Sequence, residues 1–334
     1  MKRIIPVLIV SCLLLSVLSG CARNGSDART GDKISIISTI FAPYDFVRQI
    51  AGEHADITML LPPGSESHSY EPTPKEIIAI QNCDVFIYVG GDSDSWVHEV
   101  LESIDTGKMK IITLMDCVDV VETEIVEGME DDHDHSHDDA QEDGGHSSSE
   151  NADDHTHDAD LDEHVWTSPK NAKIIVQKVS AALCETDAAN ATSYTDNTAS
   201  YLALLDDLDA RFREIVDSAV HRTMIFGDRF PFRYFADAYG LEYFAAFPGC
   251  STETEASAAT VAFLIDKVRD EDIPAVFHVE LSNKKMAYTI SEETGAKVLL
   301  FHACHNITRD EMAQGITYIE LMNRNAENLR EALN

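Results

Sequence analysis

Between residues 34 and 114 the chain alternates short apolar runs with amphipathic stretches, and the same alternation returns between residues 224 and 333. The runs at 34–39, 57–61, 85–89 and 110–114 are bounded by Gly, Pro or Asp and read as buried strands. Helical patterns lie between them near 44–51, 74–81 and 96–104. Strand, helix, strand in repetition predicts a parallel sheet covered on both faces, because each crossover needs a helix-length connection. The second series places strands at 224–226, 243–246, 275–279 and 297–301, with helices near 231–239, 253–269, 284–294 and 310–333. Two helical segments, 169–184 and 191–216, separate the series. The second carries Leu202, Leu204, Leu205, Leu208 and Phe212 with charges between them, and at about 1.5 Å per residue it reaches close to 40 Å. That is long enough to bridge two lobes. The expected fold class is α/β, in two lobes with mostly parallel sheets, and the default ligand site is the interlobe cleft beyond the carboxyl ends of the strands.

The first residues read as processing signals. Lys2 and Arg3 precede an apolar run over 4–18 that is too short for a comfortable membrane span. Leu18-Ser19-Gly20-Cys21 then looks like a bacterial lipobox, with cleavage before Cys21 and lipid attached to it. The domain plan is therefore a signal peptide at 1–20, a lipidated tether at 21–32, a first lobe at 33–168, linking helices at 169–220 and a second lobe at 221–334. A body tethered in this way belongs on the extracytoplasmic face of the cell membrane.

The formal net charge of -34 argues against nucleic acid, whose phosphates would be repelled. Much of the acidity lies in a segment without Lys or Arg, 111–169, inside which a loop at 120–163 holds His133, His135, His137, His146, His155 and His157. Divalent cations are the natural partners of such a loop. With almost no apolar residues it cannot build a core, which predicts a mobile segment across the cleft mouth. Flexible ligands lose entropy when they chelate, so weak, exchangeable auxiliary sites are expected there rather than one tight site. Deleting 130–158 should lower total metal stoichiometry and leave the tight site nearly intact.

Candidate ligands for the tight site stand just after strands or turns. His68 sits in a Pro- and Gly-rich loop, "LLPPGSESHSYEPTPKE", ahead of a helix start at Thr73-Pro74; a loop histidine is more often simply solvated. In "LDEHVWTSPKNA", His164 follows two carboxylates and precedes Trp166, which could shield a site from water; the blander reading is the last histidine of a His-rich loop. In "KVLLFHACHNIT", His302 and His305 flank Cys304 after a strand, and one of them could equally be a core residue. Asp228 ends the strand in "TMIFGDRF", where aspartates more often cap turns. Cys250 and Cys304 both follow strands of the second lobe and form the expected disulfide, the alternatives being two buried thiols or Cys304 as a soft ligand.

The stretches "IFAPYDFVRQIAGEHADITMLLPPGSESHSYEPTPKEI", "DEHVWTSPKNA", "YFADAYGLEY" and "YIELMNRNAENLREAL" closely resemble the zinc and manganese solute-binding lipoproteins of bacterial ABC transporters. The resemblance covers nearly the whole mature chain. It implies two Rossmann-like lobes joined by a rigid long helix, one divalent metal in the cleft and a membrane permease as partner, in a monomer tethered by lipid. The acidic His-rich loop resembles the zinc-uptake branch. Carried over position by position, His68 matches the first ligand and His164 the second, although the usual Asp-Pro-His-x-Trp reads Asp-Glu-His-Val-Trp here. The third position falls within Gly227-Asp228-Arg229, where Asp228 alone can coordinate, and the fourth aligns with His302. Three imidazoles with Asp228 or water favour Zn2+ over Mn2+.

Three other readings remain open in the sequence: a manganese or iron receptor of the same family, a zinc hydrolase with Glu280 as general base, and an adhesin or metal buffer acting through the loop. An enzyme is disfavoured, because the chain shows no HExxH helix, nucleophile elbow or phosphate loop.

Overall fold

The computed structural model describes residues 33–66, 70–129, 161–249, 251 and 255–334. The expectations for the leader and Cys21, for His68, for the six histidines of the acidic loop and for Cys250 fall outside these residues.

The first lobe runs β1 (Ile34–Ser38), α1 (Phe41–Ala51), β2 (Ala55–Met59), α2 (Pro74–Gln81), β3 (Val85–Tyr88), α3 (Ser95–Ser103) and β4 (Lys110–Thr113). Its four strands pair in parallel in the order β2-β1-β3-β4. Two helices follow, α4 (Pro169–Thr186) and α5 (Ala191–Asp217). The second lobe runs β5 (Thr223–Phe230), α6 (Arg233–Tyr239), β6 (Glu242–Pro248), α7 (Ala258–Asp270), β7 (Ala275–His278), α8 (Lys285–Thr294), β8 (Lys297–Leu300), α9 (Arg309–Gln314) and α10 (Tyr318–Ala332). Its sheet, β6-β5-β7-β8, is again all parallel and repeats the order of the first. In each sheet the winding reverses beside the lobe's first strand. That reversal opens a crevice at the carboxyl ends, where ligands of such sheets bind.

Helix α5 spans 27 residues, about 40 Å at 1.5 Å per residue. Tyr194, Thr198, Tyr201, Leu205, Leu208, Phe212 and Ile215 recur every three or four positions and are all buried, so one face of the helix is apolar along its length. Leu204 falls off this period and is 49% exposed. Near its start Asn197 Nδ2 donates to the Ile50 carbonyl of α1 at 2.9 Å. Towards its end Asp209 accepts from the Tyr239 hydroxyl of α6 at 3.0 Å, and Arg211 pairs with Glu327 of α10. One helix thus holds elements of both lobes.

Beneath the strand ends of the second lobe, Phe226, Phe232, Phe235, Phe277 and Phe301 pack with Phe212 of α5 at zero exposure. Burying one such ring stabilises by about 1.5–3 kcal/mol, so the positions of the strand tips above them are firmly fixed.

Three of the boundaries that differ from the sequence expectation have a local cause. The helix expected over 310–333 is two helices, because Gly315 (φ 70) ends α9 in a left-handed cap and Thr317 starts α10 with a capping box to Glu320. Helix α7 begins at Ala258, where the Ser257 hydroxyl accepts the Thr260 N–H at 3.1 Å. Strand β5 continues to Phe230 through a register shift between Phe226 and Arg229, and this irregularity sets which side chain of Gly227-Asp228-Arg229 meets the cleft.

Candidate metal centre

His164 stands at the head of a short 3-10 turn, Val165–Thr167, and is 1% exposed. Asp162 fixes it twice: its Oδ1 accepts the His164 backbone N–H at 2.8 Å and lies 3.0 Å from the ring Nδ1. An ionised carboxylate can only accept, so Nδ1 carries the hydrogen and Nε2 keeps its lone pair for a metal. Burial, the largest influence, lowers the His164 pKa, but the charge and hydrogen bond of Asp162 and the charge of Glu163 together outweigh it and hold the pKa above its ordinary 6.5, against a lowering influence from Arg229. Asp162 is itself held from the second lobe, where the Tyr234 hydroxyl donates to its carbonyl at 2.7 Å. Gly249, in the turn after β6, lies so close that an added Cβ would sit 3.0 Å from His164 Cε1 and 3.0 Å from the Phe230 carbonyl.

The facing wall is the turn after β8. The two carboxylate oxygens of Glu280 accept the Ala303 N–H at 2.7 Å and the His305 N–H at 3.1 Å, with Cys304 between them in a left-handed conformation (φ 58). This presents the His305 ring to His164, with ring centroids 5.9 Å apart. Trp166 closes the floor. Its ring lies 5.5 Å from His164 and 5.3 Å from His305, and its Nε1 donates to the Ala303 carbonyl at 2.7 Å. The first lobe's loop is tied to the same turn, since Asn306 Nδ2 donates to the Pro62 and Ser65 carbonyls at 2.9 and 2.8 Å.

Two expected ligands take other roles. His302 is 2% exposed and turned into the protein: its Nδ1 accepts the Cys304 N–H at 2.9 Å, and Asn325 bonds its backbone on both sides. Its Nε2 is buried with no hydrogen-bond partner. The Asp228 carboxylate accepts the Arg229 N–H at 2.9 Å and the Val279 N–H at 3.2 Å, which ties β5 to the end of β7. Neither lines the cleft, whereas Glu66, His164, Arg229, Glu280 and His305 do, around a cavity of about 50 Å³. Of the expected Cys250–Cys304 pair only Cys304 is described, and it is a free thiol at zero exposure whose Sγ points to the His302 carbonyl. Burial raises the Cys304 thiol pKa well above the ordinary value, which disfavours thiolate ligation.

Among the described residues no three His, Cys, Asp or Glu side chains converge closely enough to hold a metal; His164 and His305 make a pair. Two imidazoles on one tetrahedral zinc, with Zn–N at about 2.0–2.1 Å, have ring centroids about 5 Å apart, so the observed pair needs only a small approach. The sequence named His305 but gave its role to His302. It passed over Arg229, although an arginine directly after a strand-end aspartate is a legible signal that a cation faces the cleft.

A family described as zinc-uptake complex component A, periplasmic (ZnuA), matches residues 36–332. The high-affinity zinc uptake system protein ZnuA of Bacillus subtilis is 29% identical over 97% of this chain and 96% of its own. The zinc-binding lipoprotein AdcA of Streptococcus pneumoniae is 29% identical over 99% of this chain, which spans 61% of that longer protein. Among solved structures, the Zn(II)-bound ZnuA-like domain of S. pneumoniae AdcA superposes with a TM-score of 0.70 at 26% identity, covering 90% of this chain and 99% of that one.

Proposed function

Because this chain belongs to the periplasmic zinc-uptake component A family, we propose that it is a high-affinity zinc receptor that hands the ion to the membrane permease of an ABC transporter. The observation that carries this reading is the His164–His305 pair, one ring oriented by Asp162 and the other by a turn that Glu280 holds, facing each other across a cleft at the carboxyl ends of two parallel sheets. His305 takes the place that the sequence gave to His302. His68, outside the described residues, is the third imidazole in this reading, and nitrogen donors favour zinc over manganese.

The site is built to hold rather than to react. Glu280, the only general base the sequence offered, spends both carboxylate oxygens on backbone N–H groups, which favours a receptor over a hydrolase. Lipid attachment at Cys21, a monomeric state and an extracytoplasmic location complete the proposal. No helix of the described residues is long and apolar enough to cross a membrane. The relatives' names speak for zinc transport.

A zinc titration against a competing chelator tests the assignment. His164→Ala and His305→Ala should each abolish the tight site, and His302→Ala should leave its stoichiometry at one. Tight binding that survives in both of the first two variants overturns the site.

A further inference from the structure

We propose that the cleft takes zinc together with a small planar oxyanion, a carboxylate or bicarbonate, which occupies an open coordination position and is held on its other side by Arg229. The inference rests on the zinc-receptor reading. The two imidazoles that face each other, His164 and His305, leave positions of a tetrahedral zinc open. The residue that lines the cleft at the end of β5 is an arginine, which has five N–H donors, no lone pair and a permanent charge, so it repels a bare dication and cannot ligate it.

The guanidinium is weakly engaged. Its side chain is only 18% exposed, yet its two contacts are long: 3.3 Å to Glu66, whose side chain is 50% exposed, and 3.4 Å to the Ser251 carbonyl. Charge-assisted bonds to a well-seated carboxylate run at about 2.7–2.9 Å. The other acids of the cleft are already committed. Glu280 holds the Ala303 and His305 N–H groups, and Asp162 holds the His164 ring and backbone. An oxyanion that puts one oxygen on zinc and the others on the guanidinium fork would satisfy both cations at once, and a cavity of about 50 Å³ exceeds the roughly 10–15 Å³ that a single water needs.

The test is a chelator-competition titration of zinc on the full chain at fixed pH and ionic strength, in perchlorate, in perchlorate with acetate, and in perchlorate with bicarbonate, corrected for zinc complexed by each free anion. The wild-type affinity is expected to rise about 10-fold with the effective anion, a typical size for coupling between two ligands. A rise with bicarbonate alone identifies carbonate chemistry, and a rise with acetate as well identifies carboxylates generally. Arg229→Leu should bind zinc equally in all three salts. Arg229→Lys, which keeps the charge without the fork, should show a reduced rise, and Glu66→Gln, which releases the guanidinium, an enlarged one. Equal wild-type affinity in all three salts, or a rise that persists in Arg229→Leu, overturns the proposal while leaving the receptor reading in place. Absence of tight zinc binding in every salt overturns both.

Discussion

The two walls of the cleft each use one carboxylate to place one imidazole, and they do it differently. On the first, Asp162 bonds both the ring Nδ1 and the backbone N–H of His164, so direction and basicity of the ligand are set together. On the second, Glu280 accepts the two backbone N–H groups either side of Cys304 and so fixes the turn that brings the His305 ring against Trp166 and His164. The first wall therefore places its imidazole by a carboxylate on the ring itself, and the second by a carboxylate on the turn that carries it. Their failures should differ in kind: damage to Asp162 should change proton competition, and damage to Glu280 should change the stability of a turn.

Removing an imidazole is the harshest way to break this comparison, since it acts on both walls alike. His164→Ala and His305→Ala should each lose more than the roughly 100-fold in zinc affinity that an orienting partner is worth. His302→Ala should cost stability instead, because it empties a buried position and leaves the Cys304 N–H without its acceptor. Chelator competition and thermal unfolding on the three variants separate the roles. A His302→Ala protein that folds as wild type and loses the tight site would invert the assignment.

Asp162→Asn comes next, with an expected loss of about 10- to 100-fold at neutral pH. The signature is in the pH profile. The raised pKa of His164 means a proton competes with zinc at higher pH than for an ordinary histidine, so wild-type affinity should fall as pH drops through the region above 6.5. In the variant that fall should move to lower pH. The sign for the metal-free protein is opposite: His164 contributes stability that is complete below the ordinary pKa and is lost as pH rises through the elevated one. A zinc affinity with the same pH profile in variant and wild type would show that Asp162 only positions the ring.

Glu280→Gln should act on the second wall through stability first. A neutral amide keeps one acceptor for the two N–H groups and loses the charge assistance, worth about 1.5–3 kcal/mol at a carboxylate whose side chain is 9% exposed. Zinc affinity should fall less than in Asp162→Asn, and the pH profile should stay in place. A shifted profile would mean that Glu280 acts on the ligand's charge, and the contrast between the walls would fail.

The same contrast explains what the sequence made legible. Eight strands and their parallel pairing follow from period and punctuation, because burial on both faces leaves a local mark in runs such as Val85–Tyr88, whereas their order in each sheet does not. The cleft position of His164 was legible too, since the carboxylate that orients it stands two residues away. The choice between His302 and His305 was not. It depends on a left-handed Cys304 and on Glu280, a partner 25 residues from His305 in sequence, and no local pattern reports either. The placement of Asp228 was not legible for a related reason: the register shift in β5 turns it to the Val279 N–H and delivers Arg229 to the cleft.

The smallest expected effect comes from Gly249, where the second lobe touches the ligand of the first. An added Cβ would lie at 3.0 Å from both His164 Cε1 and the Phe230 carbonyl, distances at which a neighbour must give by a few tenths of an ångström. The carbonyl belongs to β5 above the phenylalanine core and cannot yield, whereas the ring can tilt about its bond to Asp162. Gly249→Ala should therefore move His164 rather than the backbone. A tilted Nε2 is a poorer ligand but a present one, so zinc affinity should fall by about 3- to 10-fold, below the range for an orienting partner, with unfolding little changed. If Gly249→Ala instead lowers stability and leaves affinity alone, the strand end has moved and the ring has not, and the His164 wall is stiffer than its single tuned carboxylate implies.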